Sequence, residues 1–193
     1  MDFIRLSQYI GLGGFIAWSM IERGFTLSNQ QQAEGQRKEG FSFVLINIFW
    51  YGAIFFAIAD IWWLELSLFN QPFLILRIVG FLFILGGLVL RYSARKALGK
   101  QYSVHVETSE EHQLVTTGIF SVIRHPAYLG LLCLLLGIPL SMGSWGSLLI
   151  ATVGGIPAII YRISVEEKFL AQWFGEQYKT YKKKTKRLIP YIW

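Results

Sequence analysis

A chain of 193 residues that is 53% hydrophobic and only 16% charged falls well short of the roughly 25% charged residues of a soluble domain, which excludes an ordinary water-soluble fold. Its net charge of +6 suits anionic lipid or nucleic acid until the positions of the charges are known. One cysteine, Cys133, excludes an internal disulfide and gives no thiolate metal set.

The first apolar stretch spans residues 6–21 and resembles a signal peptide in length. No small-residue cleavage site follows it, so it reads as a retained first pass. After the polar linker SNQQQAEGQRKEG (28–40), a second pass covers 41–66, uncharged from Phe41 to Ala59 and rich in Phe, Ile and Trp. A third pass, 73–90, holds Arg77 near its start, where a long side chain is expected to snorkel to the interface. A polar loop, 91–125, follows.

From Pro126 to Tyr161 there is no Asp, Glu, Lys or Arg over 36 residues. One crossing takes about 20 residues at roughly 1.5 Å rise each. The run is therefore two passes, 126–142 and 146–162, folded at the small-residue break from Ser141 to Gly146. The fifth helix has no stop at the membrane surface and is expected to run on to Gly175, kinked near Pro157. The remainder, EQYKTYKKKTKRLIPYIW, mixes Lys with Tyr, Ile and Trp, as an interfacial segment does against anionic headgroups.

The fold class is thus an all-α integral membrane protein with about five transmembrane helices. Residues 1–72 form the first two helices and their linker. Residues 73–193 form a core of helices three to five, with a loop at 91–125 and a tail at 163–193. Five passes place residues 22–40, 91–125 and everything after 161 on one face. That face carries sixteen of the eighteen Lys and Arg residues, Arg5 and Arg77 being the others. Lys and Arg accumulate on the cytoplasmic side, so the amino end is expected outside and the polar loops inside. The charge is topological, and no basic soluble module remains to bind nucleic acid.

Polar residues at the inner ends of the passes are the candidates for chemistry. Arg124, His125 and Tyr128 open the fourth pass, and each has a structural reading. Pro126 suits a first helical turn, Arg124 obeys the charge rule, and Tyr128 suits an interfacial belt. His105, His112 and His125 are spaced by 7 and 13 residues, not as a helical pair, and no Cys or acidic motif completes a metal site. GLGG at 11–14 lacks the preceding strand of a dinucleotide fingerprint. Arg162 and Glu166, four apart on one helical face, form either a weak ion pair of about 0.2–0.5 kcal/mol or a functional pair where the helix leaves the bilayer.

HQLVTTGIFSVIRHPAYLG (112–130), a helical hairpin, and RISVEEKFLAQWFGEQYKTYKKKTKRLIPYI (162–192) together resemble the isoprenylcysteine carboxyl methyltransferase family over about residues 86–193. The resemblance implies an integral-membrane enzyme using S-adenosylmethionine. The implied cofactor site comprises His105, His112, Gln113, Leu114, Val115, Phe120, His125, Pro126, Ala127, Tyr128, Glu166 and Glu167. Arg162 would serve the substrate, and Arg162 and Glu166 are the candidate catalytic pair. Two positions depart from the family pattern: His105 stands where the animal enzymes commonly have glutamine, and Phe120 where a tyrosine falls.

The implied substrate is a lipid or lipidated peptide entering from the bilayer, methylated on its carboxylate at the membrane–cytosol interface, with no metal. A carboxylate is ionised at pH 7 and needs no general base, so catalysis would rest on proximity and desolvation. Three alternatives remain at this point. One is phospholipid amine methylation, which Arg162 would oppose by repelling a protonated amine. Another is an NADPH-dependent sterol-type reductase, whose carboxyl end is similar. The last is a non-catalytic lipid-binding membrane protein.

Overall fold

The computed structural model describes residues 3–29, 41–69, 73–99 and 114–190. The helices are α1 (Phe3–Asn29), α2 (Phe41–Ala59), α3 (Leu74–Leu98), α4 (Pro126–Met142), α5 (Trp145–Ile150) and α6 (Ile156–Lys184). A π turn, Asp60–Leu64, extends α2, and another, Ala151–Gly155, joins α5 to α6. The described residues contain no β-strand, only isolated bridges at Leu68–Ser144 and Ile123–Lys186.

Three helical stretches are long and apolar enough to cross a membrane, Phe41–Leu64, Leu74–Leu98 and Trp145–Lys184, while Pro126–Met142 is a shorter apolar helix. The chain is therefore an all-helical integral membrane protein. Consecutive long helices alternate in direction. One end gathers the start of α2 and α4 with the ends of α1 and α3; the other end gathers the reverse.

Helices α3 and α4 pack closely because facing glycines remove the side chains between them. A Cβ added to Gly87 would lie 2.8 Å from the Gly130 carbonyl oxygen, and one on Gly80 would lie 2.8 Å from that of Gly137. Both pairs recur at seven-residue spacing. Small residues are how helices approach in lipid, where no hydrophobic drive separates one apolar surface from another. The core joins the two parts of the chain: Trp18 of α1, Trp50 and Ala57 of α2, Ile84 of α3, Leu134 and Ile138 of α4, and Ile163 of α6 share one buried cluster with Leu188.

Several expectations change. The first helix extends beyond 6–21 at both ends. Helix α3 continues two turns past residue 90, so Arg91 and Arg95 are not loop residues: both are buried and paired with Glu22 of α1. Arg77 does not snorkel. It is 3% exposed, and its Nη1 donates to Ser7 Oγ (2.6 Å) and to the Ser141 carbonyl (3.0 Å). The cause is the end of α4, whose last-turn carbonyls lack helical partners and need a donor. The chain reverses there at Gly143, with φ 79°, a left-handed conformation that glycine adopts without strain.

Pro157 sits in the first turn of α6, directly after the π turn Ala151–Gly155, and offers no N–H to the Val153 carbonyl four residues back; the kink in α6 lies at Gly175 instead. The helix breaks at Gly175 as expected (φ 53°, ψ −124°), but the tail beyond it is not without structure, since a second helical stretch continues across the kink to Lys184. Nor is the tail wholly interfacial. Tyr178, Tyr181 and Leu188 are buried, and the segment folds back on the approach to α4. Arg124 N–H donates to the Lys186 carbonyl (2.8 Å), His125 N–H to that of Arg187 (3.0 Å), and Lys186 N–H to that of Val122 (3.2 Å). The Tyr181 hydroxyl donates to the Phe120 carbonyl (2.6 Å).

Candidate functional site

Three helix faces converge at the end where α2 and α4 begin. Tyr128 lies in the first turn of α4, Arg162 and Glu166 one turn apart on α6, and Ser42 in the first turn of α2. The Tyr128 hydroxyl joins them: it donates to Glu166 Oε2 (2.7 Å) and accepts from Arg162 Nε (3.0 Å). Arg162 is 2% exposed, and its Nη1 donates to Ser42 Oγ (3.1 Å). The two residues separated by four on α6 are therefore linked through a second helix, α4, beyond what an exposed intrahelical pair would provide.

Neighbouring carboxylates on α6 meet different surroundings, because adjacent helical residues point about 100° apart. Glu167 is buried in a knot of cations. Arg124 Nε (2.9 Å), Arg187 Nη2 (2.9 Å) and Lys182 Nζ (3.3 Å) surround it, and His125 Nε2 lies 3.5 Å away. Burial alone would raise its carboxyl, but the adjacent His125 imidazole and the hydrogen bonds from Arg187 and Arg124 outweigh that and hold it well below the usual carboxylate range. The Glu166 side chain is 26% exposed, with Oε1 3.6 Å from His125 Nδ1. The imidazole stands between the two carboxylates, its ring centre 5.8 Å from that of Tyr128.

Pro126 is buried at the first position of α4, and Ala127 follows it with its carbonyl oxygen accepting from Arg91 Nη1 (2.9 Å). Arg91 in turn pairs with Glu22, so α1 and α3 brace the turn that carries Tyr128. Leu114 and Val115 are half-buried. Phe120 is buried beneath the tail, and its carbonyl binds Tyr181. His105, His112 and Gln113 lie outside the described residues. Among the described residues no three His, Cys, Asp or Glu side chains group to hold a metal ion.

Sequence reasoning missed Ser42, Glu22 and Arg91. Ser42 is a lone hydroxyl opening an apolar pass, a weak signal. Glu22 offered a stronger one, since it follows the first apolar stretch and Arg91 and Arg95 are four apart on one face of α3.

Below this polar cluster Ile46, Trp50, Leu131, Leu135, Gly155 and Ile159 line a narrow apolar seam between α2, α4 and α6, too tight in this conformation to admit a water molecule. Its position follows from helical periodicity. Ser42, Ile46 and Trp50 share one face of α2; Tyr128, Leu131 and Leu135 share one of α4; Arg162, Ile159 and Gly155 share one of α6. Each face is polar at its upper end and apolar beneath. The arrangement offers a carboxylate and aromatic rings for a cation, a buried guanidinium for an anion, and closely packed apolar helix faces under both.

The family model described as phospholipid methyltransferase matches residues 75–177. The protein-S-isoprenylcysteine O-methyltransferase of Schizosaccharomyces pombe is 35% identical over 108 residues, 55% of this chain and 46% of that one. Its counterpart in Saccharomyces cerevisiae is 36% identical over 117 residues, 60% of this chain and 49% of that one. That of Xenopus laevis is 34% identical over 119 residues, 61% and 41% respectively. The chain thus spans about half the length of these relatives. A solved structure of the eukaryotic intramembrane Ras methyltransferase (isoprenylcysteine carboxyl methyltransferase) aligns with a TM-score of 0.67 at 21% identity, over 98% of this chain and 74% of that one. That alignment establishes a shared fold.

Proposed function

Because the chain belongs to the phospholipid methyltransferase family, we propose that it catalyses S-adenosylmethionine-dependent methyl transfer to the carboxylate of a lipidated, isoprenylcysteine-like substrate. The reaction takes place at the membrane–cytosol interface, on a bundle that crosses the bilayer five times with this end facing the cytoplasm. The observation that carries the reading is the Tyr128 hydroxyl bridging Glu166 and Arg162 above the apolar seam between α2, α4 and α6.

The residues present fit the cofactor. S-adenosylmethionine carries a sulfonium and an ammonium, and the partly exposed Glu166 carboxylate beside the Tyr128 and His125 rings suits such cations. His112, Gln113, Leu114, Val115, His125, Pro126 and Ala127 complete the cofactor side. His105 and Phe120 stand where the family resemblance has a glutamine and a tyrosine on the cofactor side, and the departure at each leaves that contact outside this proposal. Glu167 acts on this side indirectly, by fixing His125 and Arg124. When bound, the cofactor supplies an electrophilic methyl group.

Arg162 receives the acceptor carboxylate. Its planar guanidinium can hold a carboxylate through two parallel hydrogen bonds, and Tyr128 and Ser42 fix its plane. Burial strengthens that contact and keeps water from the reacting oxygen. The acceptor's apolar tail lies along the seam between the helices, which must part to take it, so the substrate enters from the bilayer. A protonated phospholipid amine would meet the same buried guanidinium and be repelled, which favours the carboxylate reading within this family. The reductase and scaffold readings lack such support.

Calorimetry on the detergent-purified protein is the first test. S-adenosylmethionine should bind and NADPH should not, and radiolabelled methyl should pass to an N-acetylated farnesylcysteine or a shorter analogue. Binding of NADPH alone would replace this reading with a reductase, and binding of neither would leave a lipid-binding scaffold. Replacing His125 with Ala should weaken cofactor binding while the protein remains folded. Lower thermal stability with unchanged cofactor affinity would reduce His125 to a helix-end residue.

A further inference from the structure

The buried ion pairs at the end of α1 do more than hold two helices together. Glu22 accepts from two arginines one turn apart on α3: Arg91 Nη2 donates to its Oε1 and Arg95 Nη2 to its Oε2. Arg95 Nη1 also donates to the Ile21 carbonyl (3.4 Å), which fixes the α1 backbone beside the carboxylate. The Arg91 side chain is 8% exposed and that of Arg95 fully buried. Burying such charges is costly even when they are paired, and the packing of these helices does not call for it. Facing glycines already bring α3 against α4, and the apolar cluster around Trp18 already seats α1.

One further hydrogen bond shows where the brace leads. Arg91 Nη1 donates to the Ala127 carbonyl (2.9 Å), in the first turn of α4. Carbonyls there have helical partners, and only the N–H groups lack them. Arg91 is therefore not filling an orphan acceptor, as Arg77 does at the other end of the same helix. It holds the peptide that joins Ala127 to Tyr128. Its own stem has no slack, since a Cβ on Gly130 would stand 2.7 Å from Arg91 Cγ. From that peptide the Tyr128 side chain reaches across to Glu166 Oε2 (2.7 Å) and Arg162 Nε (3.0 Å).

We propose that Glu22 is a positioning residue for the reaction: through Arg91 and the Ala127 carbonyl it sets the place of the Tyr128 hydroxyl between the cofactor and acceptor sides of the site. Glu22 lies outside residues 75–177, the stretch that matches the family model, so the assignment comes from contacts in this chain. The proposal rests on the methyl-transfer reading for what the hydroxyl serves, while the line of contacts from Glu22 to Tyr128 stands without it. Misplacing a group by about 1 Å can cost on the order of 100-fold in rate, and a brace acting at one remove should cost less.

The test is a double-mutant cycle on the detergent-purified full chain, pairing Glu22→Gln with Tyr128→Phe. The amide keeps the shape of Glu22 but turns an N–H donor toward one of the two guanidiniums. Glu22→Gln should lower kcat for methyl transfer to N-acetyl-S-farnesylcysteine about tenfold and change KM by less than about threefold. In the Tyr128→Phe background the same substitution should cost less than about twofold, because the hydroxyl it positions is gone and linked contacts are not additive. In parallel, tyrosines labelled with carbon-13 at Cζ give a resonance for Tyr128, identified by its loss in Tyr128→Phe. That resonance should shift in Glu22→Gln.

Lower unfolding free energy with kcat unchanged, an additive loss in the cycle, or an unmoved Tyr128 resonance overturns the proposal. A moved resonance in a protein that transfers no methyl supports the line from Glu22 to Tyr128 and removes the methyl-transfer reading. Transfer with an unmoved resonance does the reverse. Should Glu22→Gln fail to fold, Arg91→Lys, which offers one nitrogen where Arg91 uses two, decides by the same cycle and the same resonance.

Discussion

Both ends of the helical bundle bury charged side chains, but they do so differently. At the far end, where α2 and α4 finish, Asp60 is completely buried. It accepts from Leu66 N–H (2.8 Å), Ser67 N–H (3.0 Å), Ser67 Oγ (2.5 Å) and Ser144 Oγ (2.7 Å). Arg77 nearby is held by a serine hydroxyl and the carbonyls that end α4. These groups tie together chain ends that would otherwise leave backbone donors and acceptors unsatisfied in an apolar solvent. At the near end Glu166 keeps a quarter of its side chain exposed, linked through Tyr128 to a buried guanidinium. Asp60 is enclosed on all sides and serves the fold, whereas the partly exposed Glu166 leaves the near-end cluster one open edge, through which a ligand can reach both it and the buried Arg162 behind Tyr128.

The largest effect should come from the far end. Asp60→Ala leaves two hydroxyls and two backbone N–H groups without their acceptor, each costing about 1–3 kcal/mol if it stays buried and unsatisfied. A loss on the order of 3 kcal/mol or more in unfolding free energy in detergent follows, with the S-adenosylmethionine dissociation constant of the remaining folded protein unchanged. A shift in cofactor affinity with unchanged stability would erase the distinction between the two ends.

At the near end two substitutions on one helical face should separate. Glu166→Gln should raise the cofactor's dissociation constant. Arg162→Lys should leave that constant near wild type and lower methyl transfer by about 10–100-fold, equivalent to about 1.4–2.7 kcal/mol. Lys keeps the charge but not the planar fork, so the loss reports geometry. Wild-type behaviour in both variants would make Glu166, Tyr128 and Arg162 a structural brace like the one around Asp60.

How much of this was legible follows from the same contrast. The apolar passes are written in composition, and the hairpin break appears as a run of small residues from Ser141 to Gly146. Arg162, Glu166, His125 and Tyr128 were legible as candidates because helical spacing and the family resemblance both single them out. The fate of Arg77 was not, because snorkelling and burial look alike until the carbonyls at the end of α4 are seen to need a donor. Arg91 and Arg95 were misplaced into a loop for the same reason: Glu22, which draws them inward, is about seventy residues away in sequence. Glu167 shared its neighbour's implied cofactor role, and only the folded tail shows it surrounded by Arg124, Arg187 and Lys182.

That cation knot gives the comparison a pH axis. The Glu167 carboxyl is held below its ordinary value of 4.5, so its contribution to stability is fully present above that value. It is lost progressively as pH falls through 4.5 toward the depressed folded value. Acid titration of thermal stability in detergent should show a decline in that window, and Glu167→Gln should lower stability at pH 7 and flatten the decline. An unchanged acid slope in the variant would remove Glu167 as the group that fastens the tail to the start of α4.

The smallest effect should belong to Ser42, which belongs to the site by contact alone. Its hydroxyl accepts from Arg162 Nη1 at 3.1 Å across the gap between α2 and α6, so it steers the guanidinium plane without touching the reacting atoms. Ser42→Ala removes one hydrogen bond to a charged group, worth on the order of 1.5 kcal/mol. Because Tyr128 still holds Arg162 Nε, only part of that should reach the substrate. The acceptor's KM should rise about threefold to tenfold with cofactor affinity and unfolding free energy close to wild type, and Ser42→Thr, which keeps the hydroxyl, should restore it. A stability loss as large as that of Asp60→Ala would instead place Ser42 with the enclosed charges of the far end. A rise in KM that threonine does not reverse would mean that the shape of the first turn of α2, and not its hydroxyl, sets the angle of Arg162.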